Sequence, residues 1–202
     1  MLRVGLTGGI ASGKSLVASM LGEFGAKLVD ADVIAREIVE PGQPALAEIV
    51  TSFGSSVLDA HGRLDRRSMR ERVFADPHSR RRLEALLHPI IRREILQRME
   101  AAAGSAAPGA HRYVVAVVPL LAETGFAEHV DRVLLVECPA ALQLERLMQR
   151  DGISAAQAQT MLNAQADPGL RRAIADDVID NSHSIACTRA QAWRRHLSYL
   201  NL

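Results

Sequence analysis

The sequence predicts an α/β protein built on a doubly wound, parallel sheet, and three features support this prediction. Five short, β-branched apolar runs alternate with helical patterns, as expected for strands buried on both faces. A glycine-rich stretch, GGIASGKS at 8–15, follows the first run directly. About eighty residues without a strand pattern separate the second run from the third, far more than the roughly twelve a simple crossover needs. This separation predicts a helical insert.

The predicted strands are the five apolar runs themselves. In chain order they are LRVGLT at 2–7, KLVD at 27–30, YVVAVVP at 113–119, RVLLVE at 132–137 and DVID at 177–180. Each is short and bounded by turn-forming or charged residues, which is typical of strands rather than helices.

The predicted helices follow from periodicity, capping residues, proline and glycine. They cover 15–24, 44–53, 66–74 and 78–99, and a further helix lies within PAALQLERLMQRDG at 139–152. Two capping boxes, Ser154 with Gln157 and Thr188 with Gln191, predict later helix starts. The alanine-rich stretch AAAGSAAPGA at 101–110 is predicted to be the loop that ends the insert.

Composition limits the classes of partner. The chain has 202 residues, 48% of them hydrophobic, and a formal net charge of +1, so it can form a core but has no overall field for nucleic acid or anionic lipid. No signal peptide is evident, and the longest apolar stretch, 114–121, is shorter than the roughly 20 residues of a membrane span. Two cysteines suit a reducing compartment. We expect a cytoplasmic protein without nucleic-acid, membrane or obligate protein partners.

The stretch 8–15 predicts a nucleotide triphosphate site. Gly8, Gly13, Lys14 and Ser15 match G-x-x-x-x-G-K-[ST] between a predicted strand and a predicted helix, which is the context this motif requires. Backbone N–H groups would surround a phosphate, Lys14 would reach the outer phosphates, and the Ser15 hydroxyl would hold Mg²⁺. The candidate ATP-binding residues of this stretch are Gly8, Gly9, Ile10, Ala11, Ser12, Gly13, Lys14, Ser15 and Leu16.

The remaining strand ends favour a small-molecule kinase. A switch GTPase would need N-K-x-D on a later strand, and none is present. An ATPase motor would usually end a buried strand in a metal-associated aspartate, but the strand at 113–119 runs into Pro119 and reaches an acidic residue only at Glu123. A kinase needs a carboxylate near the acceptor hydroxyl and cations for the developing charge. Asp32 is the predicted base, and Asp30 is a candidate for ordering Mg²⁺ or the loop. A helix N-cap is the structural alternative for either aspartate.

Arg146 and Arg150 are the predicted cations. Their i, i+4 spacing would place both guanidinium groups on one face of a helix that leads into a glycine-containing turn, so that this helix could close over ATP. A solvated helix face is the alternative.

Together these residues make the chain resemble the dephospho-coenzyme A kinase family. The matching segments cover nearly the whole chain: GLTGGIASGKS at 5–15, VDADVIAR at 29–36, VEPGQPAL at 39–46, the run at 62–93, VVPLLAE at 117–123, QLERLMQRDG at 143–152 and ADDVIDNS at 175–182. The resemblance implies a three-layer P-loop NTPase fold with a parallel five-stranded sheet, a helical substrate-binding insert and a helical lid.

The resemblance also implies the reaction, in which the ATP γ-phosphate passes to the ribose 3′-hydroxyl of dephospho-coenzyme A with Mg²⁺. One domain, 1–202, would contain a nucleotide-binding core (1–30, 111–140 and 173–202), a substrate region (31–110) and a lid (141–172). Asp32, Lys14, Arg146 and Arg150 would be catalytic, and Asp32, His88, Pro119, Leu120 and Leu121 would bind the acceptor. Asn181 would lie beside the adenine. Without the resemblance, His88–Pro89 would be read as a turn, 119–121 as a strand end and Asn181 as a turn residue.

Three positions depart from the family pattern: Ala11 stands where many relatives have glycine, Leu16 replaces a frequent threonine, and Ala122 replaces a common aromatic. Two other functions remain open. One is a related kinase for a nucleoside monophosphate or a small hydroxylated metabolite, and the other is a non-catalytic ATP-binding regulator.

Overall fold

A five-stranded parallel sheet forms from the five apolar runs, in a computed structural model that describes residues 1–104, 113–165 and 167–202. The strands are β1 (Leu2–Gly8), β2 (Lys27–Asp30), β3 (Tyr113–Val117), β4 (Arg132–Glu137) and β5 (Asp177–Asp180), in the spatial order β2-β3-β1-β4-β5. Leu6 of β1 is paired with Val117 on one side and Leu134 on the other. The predicted fold class is confirmed.

The helices in the described residues occupy the stretches between strands. They are α1 (Lys14–Glu23), α2 (Ala31–Glu37), α3 (Pro44–Phe53), α4 (Arg66–Ala75), α5 (Pro77–Gly104), α6 (Ala140–Asp151), α7 (Ala155–Asn163), α8 (Pro168–Ala173) and α9 (Ile185–Leu200). Short 3-10 helices cover Ser55–Val57 and Phe126–His129. The capping box predicted for Ser154 and Gln157 is present at the start of α7.

The helix predicted at 78–99 is confirmed as part of α5, which continues through Pro89, where a turn was the alternative interpretation. The loop predicted from residue 101 is wrong over 101–104, because α5 extends to Gly104. Leu86, Leu87 and Ile90 pack against a buried cluster on both sides of the proline, so burial outweighs the helix hydrogen bond that Pro89 cannot make. Alanine favours helix at 101–103. The rest of the predicted loop, 105–110, lies outside the described residues.

The capping box predicted for Thr188 and Gln191 is also wrong. Ser184 caps α9 instead, by accepting a hydrogen bond from Cys187 N, so Thr188 lies one turn inside the helix. The Gln191 side chain forms two hydrogen bonds with the main chain of Asp180: its Oε1 accepts from Asp180 N, and its Nε2 donates to the Asp180 carbonyl oxygen. The Thr188 hydroxyl lies 2.8 Å from Asn181 Oδ1 and 3.4 Å from the Ser184 carbonyl oxygen, so neither side chain forms the predicted capping box.

The chain divides into two units, 1–29 with 98–202 and 30–97. The first contains the sheet and a core in which α1 and α9 pack against it, with Leu6, Leu21 and Leu134 fully buried. The second has its own core around Ile49, Phe53 and Met69. Among the described residues, no helix is both long and apolar enough to span a membrane.

Candidate nucleotide and acceptor site

The loop between β1 and α1 has the backbone of a phosphate-binding site. Gly13 has φ 94° and Ala11 has φ 55°, so the chain turns sharply before Lys14 begins α1. No side chain caps α1, and within the described residues nothing accepts a hydrogen bond from the N–H groups of Gly13, Lys14 and Ser15. These N–H groups and the positive end of the helix dipole are therefore available to an anion.

Contacts require glycine at two positions of this loop. A Cβ on Gly8 would lie 2.5 Å from the Val136 carbonyl oxygen and 2.7 Å from Ser12 Oγ. A Cβ on Gly13 would lie 1.9 Å from Asn181 Nδ2. The left-handed conformation of Ala11 costs about 1–2 kcal/mol relative to glycine, so the alanine that departs from the family pattern carries local strain.

Lys14 and Ser15 are placed for the roles the motif predicts. Lys14 is half-buried and forms no ion pair with any described residue, which leaves its ammonium group for a ligand. Ser15 is exposed in the first turn of α1, and its hydroxyl binds no described residue. In the same loop, Ser12 Oγ is buried and has no hydrogen-bond partner within 1–104, 113–165 and 167–202.

Asn181, directly after β5, is the most densely bonded residue beside the loop. Its side chain is 3% exposed, donates from Nδ2 to the Ser12 carbonyl oxygen (2.8 Å) and accepts at Oδ1 from the Thr188 hydroxyl (2.8 Å). Its main chain donates to the Glu137 carbonyl oxygen and accepts from Arg146 Nη2. The side chain therefore contacts the loop backbone rather than facing solvent.

The two arginines predicted to act together both lie on α6 but have different hydrogen-bond partners. Arg146 donates to the Asn181 carbonyl oxygen (2.9 Å) and approaches Cys138 Sγ (3.7 Å), so it lies beside the residue that contacts the loop. Arg150 instead forms two hydrogen bonds with Asp151, and its side chain is 58% exposed. This contact raises the pKa of Arg150 and lowers that of Asp151. Burial raises the pKa of the Cys138 thiol, which keeps it protonated.

Three polar side chains beside the loop were missed by sequence reasoning. Gln143 Nε2 donates to the Ile10 carbonyl oxygen (2.8 Å), and Gln165 Oε1 accepts from Ile10 N (2.9 Å). Arg171, whose side chain is only 8% exposed, lies 3.9 Å from Glu123. No local pattern marks the two glutamines, but Glu123 belongs to the PLLAE segment and could have indicated a cationic partner.

A cavity of about 430 Å³ lies next to the loop, a size suited to a small ligand. Its lining includes Gly9, Gln143, Arg171 and the residues that follow β4 and β5, such as Cys138 and Ser182. The cavity is therefore formed by the phosphate-binding loop, the start of α6 and the carboxyl ends of two strands.

The Asp30–Asp32 segment has a simpler structure. Asp30 Oδ1 caps α2 by accepting from Asp32 N (2.8 Å) and Val33 N (3.4 Å), so the structural alternative considered for this aspartate is present. Asp32 is exposed, and its carboxylate forms no hydrogen bond or ion pair with any described residue. His88 is half-buried within α5.

The predicted acceptor-binding residues after β3 differ in exposure. Leu120 is 42% exposed and Pro119 is half-buried, whereas Leu121 is fully buried and its Cδ1 would lie 2.6 Å from a Cβ on Gly5. Leu121 thus packs into the protein interior, and Pro119 and Leu120 offer the accessible surface of this segment.

Known proteins resemble this chain over nearly its full length. A family model described as CoaE, dephospho-CoA kinase, matches residues 2–186. A dephospho-CoA kinase from Thiobacillus denitrificans is 46% identical over 203 residues, which cover 100% of this chain and 97% of the relative. One from Aeromonas hydrophila is 50% identical over 183 residues, covering 91% and 86%. A solved structure of a dephospho-CoA kinase from Campylobacter jejuni is 28% identical, with a TM-score of 0.66 and coverage of 98% and 96%.

Proposed function

The chain belongs to the dephospho-CoA kinase family, whose members catalyse the final step of coenzyme A synthesis, and from this premise we propose how its residues divide the reaction. The ribose 3′-hydroxyl oxygen of dephospho-CoA attacks the γ-phosphorus of ATP. The bond between this phosphorus and the β–γ bridging oxygen breaks, and ADP leaves. The acceptor proton goes to Asp32.

The loop at 8–15 binds the donor. The N–H groups at the start of α1 and the Lys14 ammonium group, which have no partner among the described residues, suit the phosphates of ATP because they can neutralise charge from fixed positions. We assign residues 8–16, which the motif predicts, to the ATP-binding half of the site. The observation that carries the proposal is this open N-terminus of α1, within a chain whose match to the family covers 2–186.

Mg²⁺ is expected to arrive with ATP. The Ser15 hydroxyl is an exposed oxygen ligand that fits this ion, and the described residues contain no cluster of three or more His, Cys, Asp or Glu side chains that could hold a metal alone. Mg²⁺ usually keeps several waters and takes one or two protein ligands together with substrate phosphates. When bound, the ion neutralises phosphate charge. Asp30 is the candidate for a second protein ligand of Mg²⁺, but one of its carboxylate oxygens already caps α2.

Asp32 is proposed as the base because its carboxylate is exposed and, unlike that of Asp30, has no hydrogen-bond partner in the part of the chain that the structure describes. A carboxylate without internal hydrogen bonds can accept the proton of a bound hydroxyl. His88, Pro119, Leu120 and Leu121 are proposed to line the acceptor site, with Pro119 and Leu120 the more accessible pair beyond β3.

Arg146 and Arg150 are proposed to neutralise charge on the transferred phosphoryl group. Arg146 already lies next to Asn181, whereas Arg150 would have to exchange Asp151 for phosphate. We assign 141–172 to a lid, 31–110 to the substrate region and 1–30, 111–140 and 173–202 to the core. The boundary at 110–111 falls outside the described residues. The cytoplasm is the proposed location.

An acceptor panel tests the function. ADP release is measured with ATP and Mg²⁺ against dephospho-CoA, CMP, gluconate and shikimate in parallel. The proposal expects preference for dephospho-CoA, and preference for any of the other three would contradict it. A protein that binds ATP but releases ADP with none of the four would be the regulator considered above.

A further inference from the structure

We propose that Asn181 is a positioning residue that holds the phosphate-binding loop in its anion-binding conformation, rather than a residue that reads adenine. This inference rests on the loop binding phosphates, as in the proposed function, but not on the identity of the acceptor. It is carried by two buried hydrogen bonds of the Asn181 carboxamide and by the geometry of one peptide unit.

The peptide between Ser12 and Gly13 is trans, like every described peptide bond. In a planar trans peptide, the C=O and N–H bonds point in opposite directions. Asn181 Nδ2 binds the Ser12 carbonyl oxygen at 2.8 Å, so the N–H of Gly13 must point away from Asn181. Gly13 N binds nothing among the described residues, which leaves this N–H for a phosphate oxygen.

The alternative orientation of this peptide would be harmful. If the unit turned over, the Ser12 carbonyl oxygen would face the bound anion and repel it, and the Asn181 amide would lose a buried partner. A buried amide left without a hydrogen-bond partner is unfavourable, so the hydrogen bond disfavours the inverted state. Gly13 itself, with φ 94° and no Cβ, permits the close approach of Asn181.

Thr188 fixes which way the Asn181 amide faces. Its hydroxyl, fully buried on α9, donates to Asn181 Oδ1 at 2.8 Å. This leaves only the NH₂ group to meet Ser12, so the hydrogen bonds run in one direction from α9 to the loop. The main-chain carbonyl oxygen of Asn181 accepts a hydrogen bond from Arg146 Nη2. Asn181 thus joins the loop to the proposed phosphate cation.

The experiment compares two probes by titration calorimetry, ATP and inorganic tripolyphosphate, each with Mg²⁺. Tripolyphosphate presents phosphates without a base. For Asn181→Ala, we expect affinity for both probes to fall by about the same factor, on the order of tenfold, while the KM for dephospho-CoA stays unchanged. Thr188→Val should lower the affinity for both probes by a smaller factor. Thr188→Ser, which keeps the hydroxyl, should bind both probes as the unaltered protein does.

Asn201→Ala is the matched control, because Asn201 Nδ2 also donates to a carbonyl oxygen at 2.8 Å, that of Leu197, on the exposed end of α9. It should leave both affinities unchanged. Loss of ATP affinity alone would overturn the inference in favour of an adenine contact. A lower melting temperature with both affinities intact would overturn it in favour of a purely structural role. If the unaltered protein bound neither probe, the donor site of the proposed function would itself be wrong.

Discussion

The phosphate-binding loop and the Asp30–Asp32 segment supply the two halves of the proposed reaction, and the protein holds them differently. The loop is fixed through its backbone: Gln143, Gln165 and Asn181 bind main-chain atoms of Ile10 and Ser12. The aspartate segment has one helix cap and an exposed carboxylate. Substitutions around the loop should therefore affect folding and binding together, whereas substitution of Asp32 should affect chemistry alone.

Lys14→Ala should give the largest effect on the loop side. Removing the unpaired ammonium group should lower kcat/KM by about 10³-fold and weaken ATP binding as well, because one preorganised charge is lost. Lys27, the only other lysine in the sequence, provides the control. Steady-state kinetics should show Lys27→Ala close to the unaltered protein, and equal losses in the two variants would deny Lys14 a specific role.

Arg146→Ala should lower kcat by about 10²-fold, and Arg150→Ala by less. The difference is expected because Arg146 lies beside Asn181, whereas the exposed Arg150 is paired with its neighbour Asp151. Initial rates at saturating ATP and dephospho-CoA measure both losses. A larger loss for Arg150 would contradict this order.

Gly13→Ala tests how tightly the loop is packed, and Gly25→Ala is its control. Both glycines have φ near 100°, but a Cβ on Gly25 meets nothing within 4 Å, whereas one on Gly13 overlaps Asn181. Backbone strain alone should cost about 1–2 kcal/mol at Gly25. Urea unfolding should show a clearly greater loss for Gly13→Ala, together with weaker ATP binding; equal losses would contradict the close packing.

Asp30→Ala should have the smallest effect, a loss of about 1 kcal/mol in the free energy of unfolding, because α2 loses its cap. Asp30→Asn keeps a capping oxygen but removes the charge. If Asp30 only caps α2, the Asn variant should need no more Mg²⁺ for half-maximal rate than the unaltered protein. A higher Mg²⁺ requirement would instead give Asp30 a share in binding the ion.

The same contrast explains how far the sequence could predict the structure. Strands and the P-loop motif are local patterns, so β1, β4 and the stretch 8–15 were accessible to sequence reasoning. The contacts of Gln143 and Gln165 with Ile10 join residues more than a hundred positions apart, and no local pattern encodes them. Sequence rules also failed at two helix ends: α5 extends over 101–104, where a loop was predicted, and α9 begins before Thr188, where a cap was predicted.

Arg146 and Arg150 show a related limit. Their spacing correctly places them on one helix, but the partner of each guanidinium depends on what lies beside it, Asn181 for one and Asp151 for the other. Periodicity predicts the helix and not the partner. The roles of both arginines, and of Asp32, therefore remain predictions.

The most direct test of the division between donor and acceptor functions is to measure ATP affinity and turnover in the same preparation of Asp32→Asn. The substitution keeps the shape of the side chain and leaves Asp32 N available to Asp30. We predict an unchanged Kd for ATP, an unchanged melting temperature and a kcat for dephospho-CoA that falls by about 10²- to 10⁴-fold. Retention of normal turnover in Asp32→Asn would contradict the assignment of Asp32 as the base.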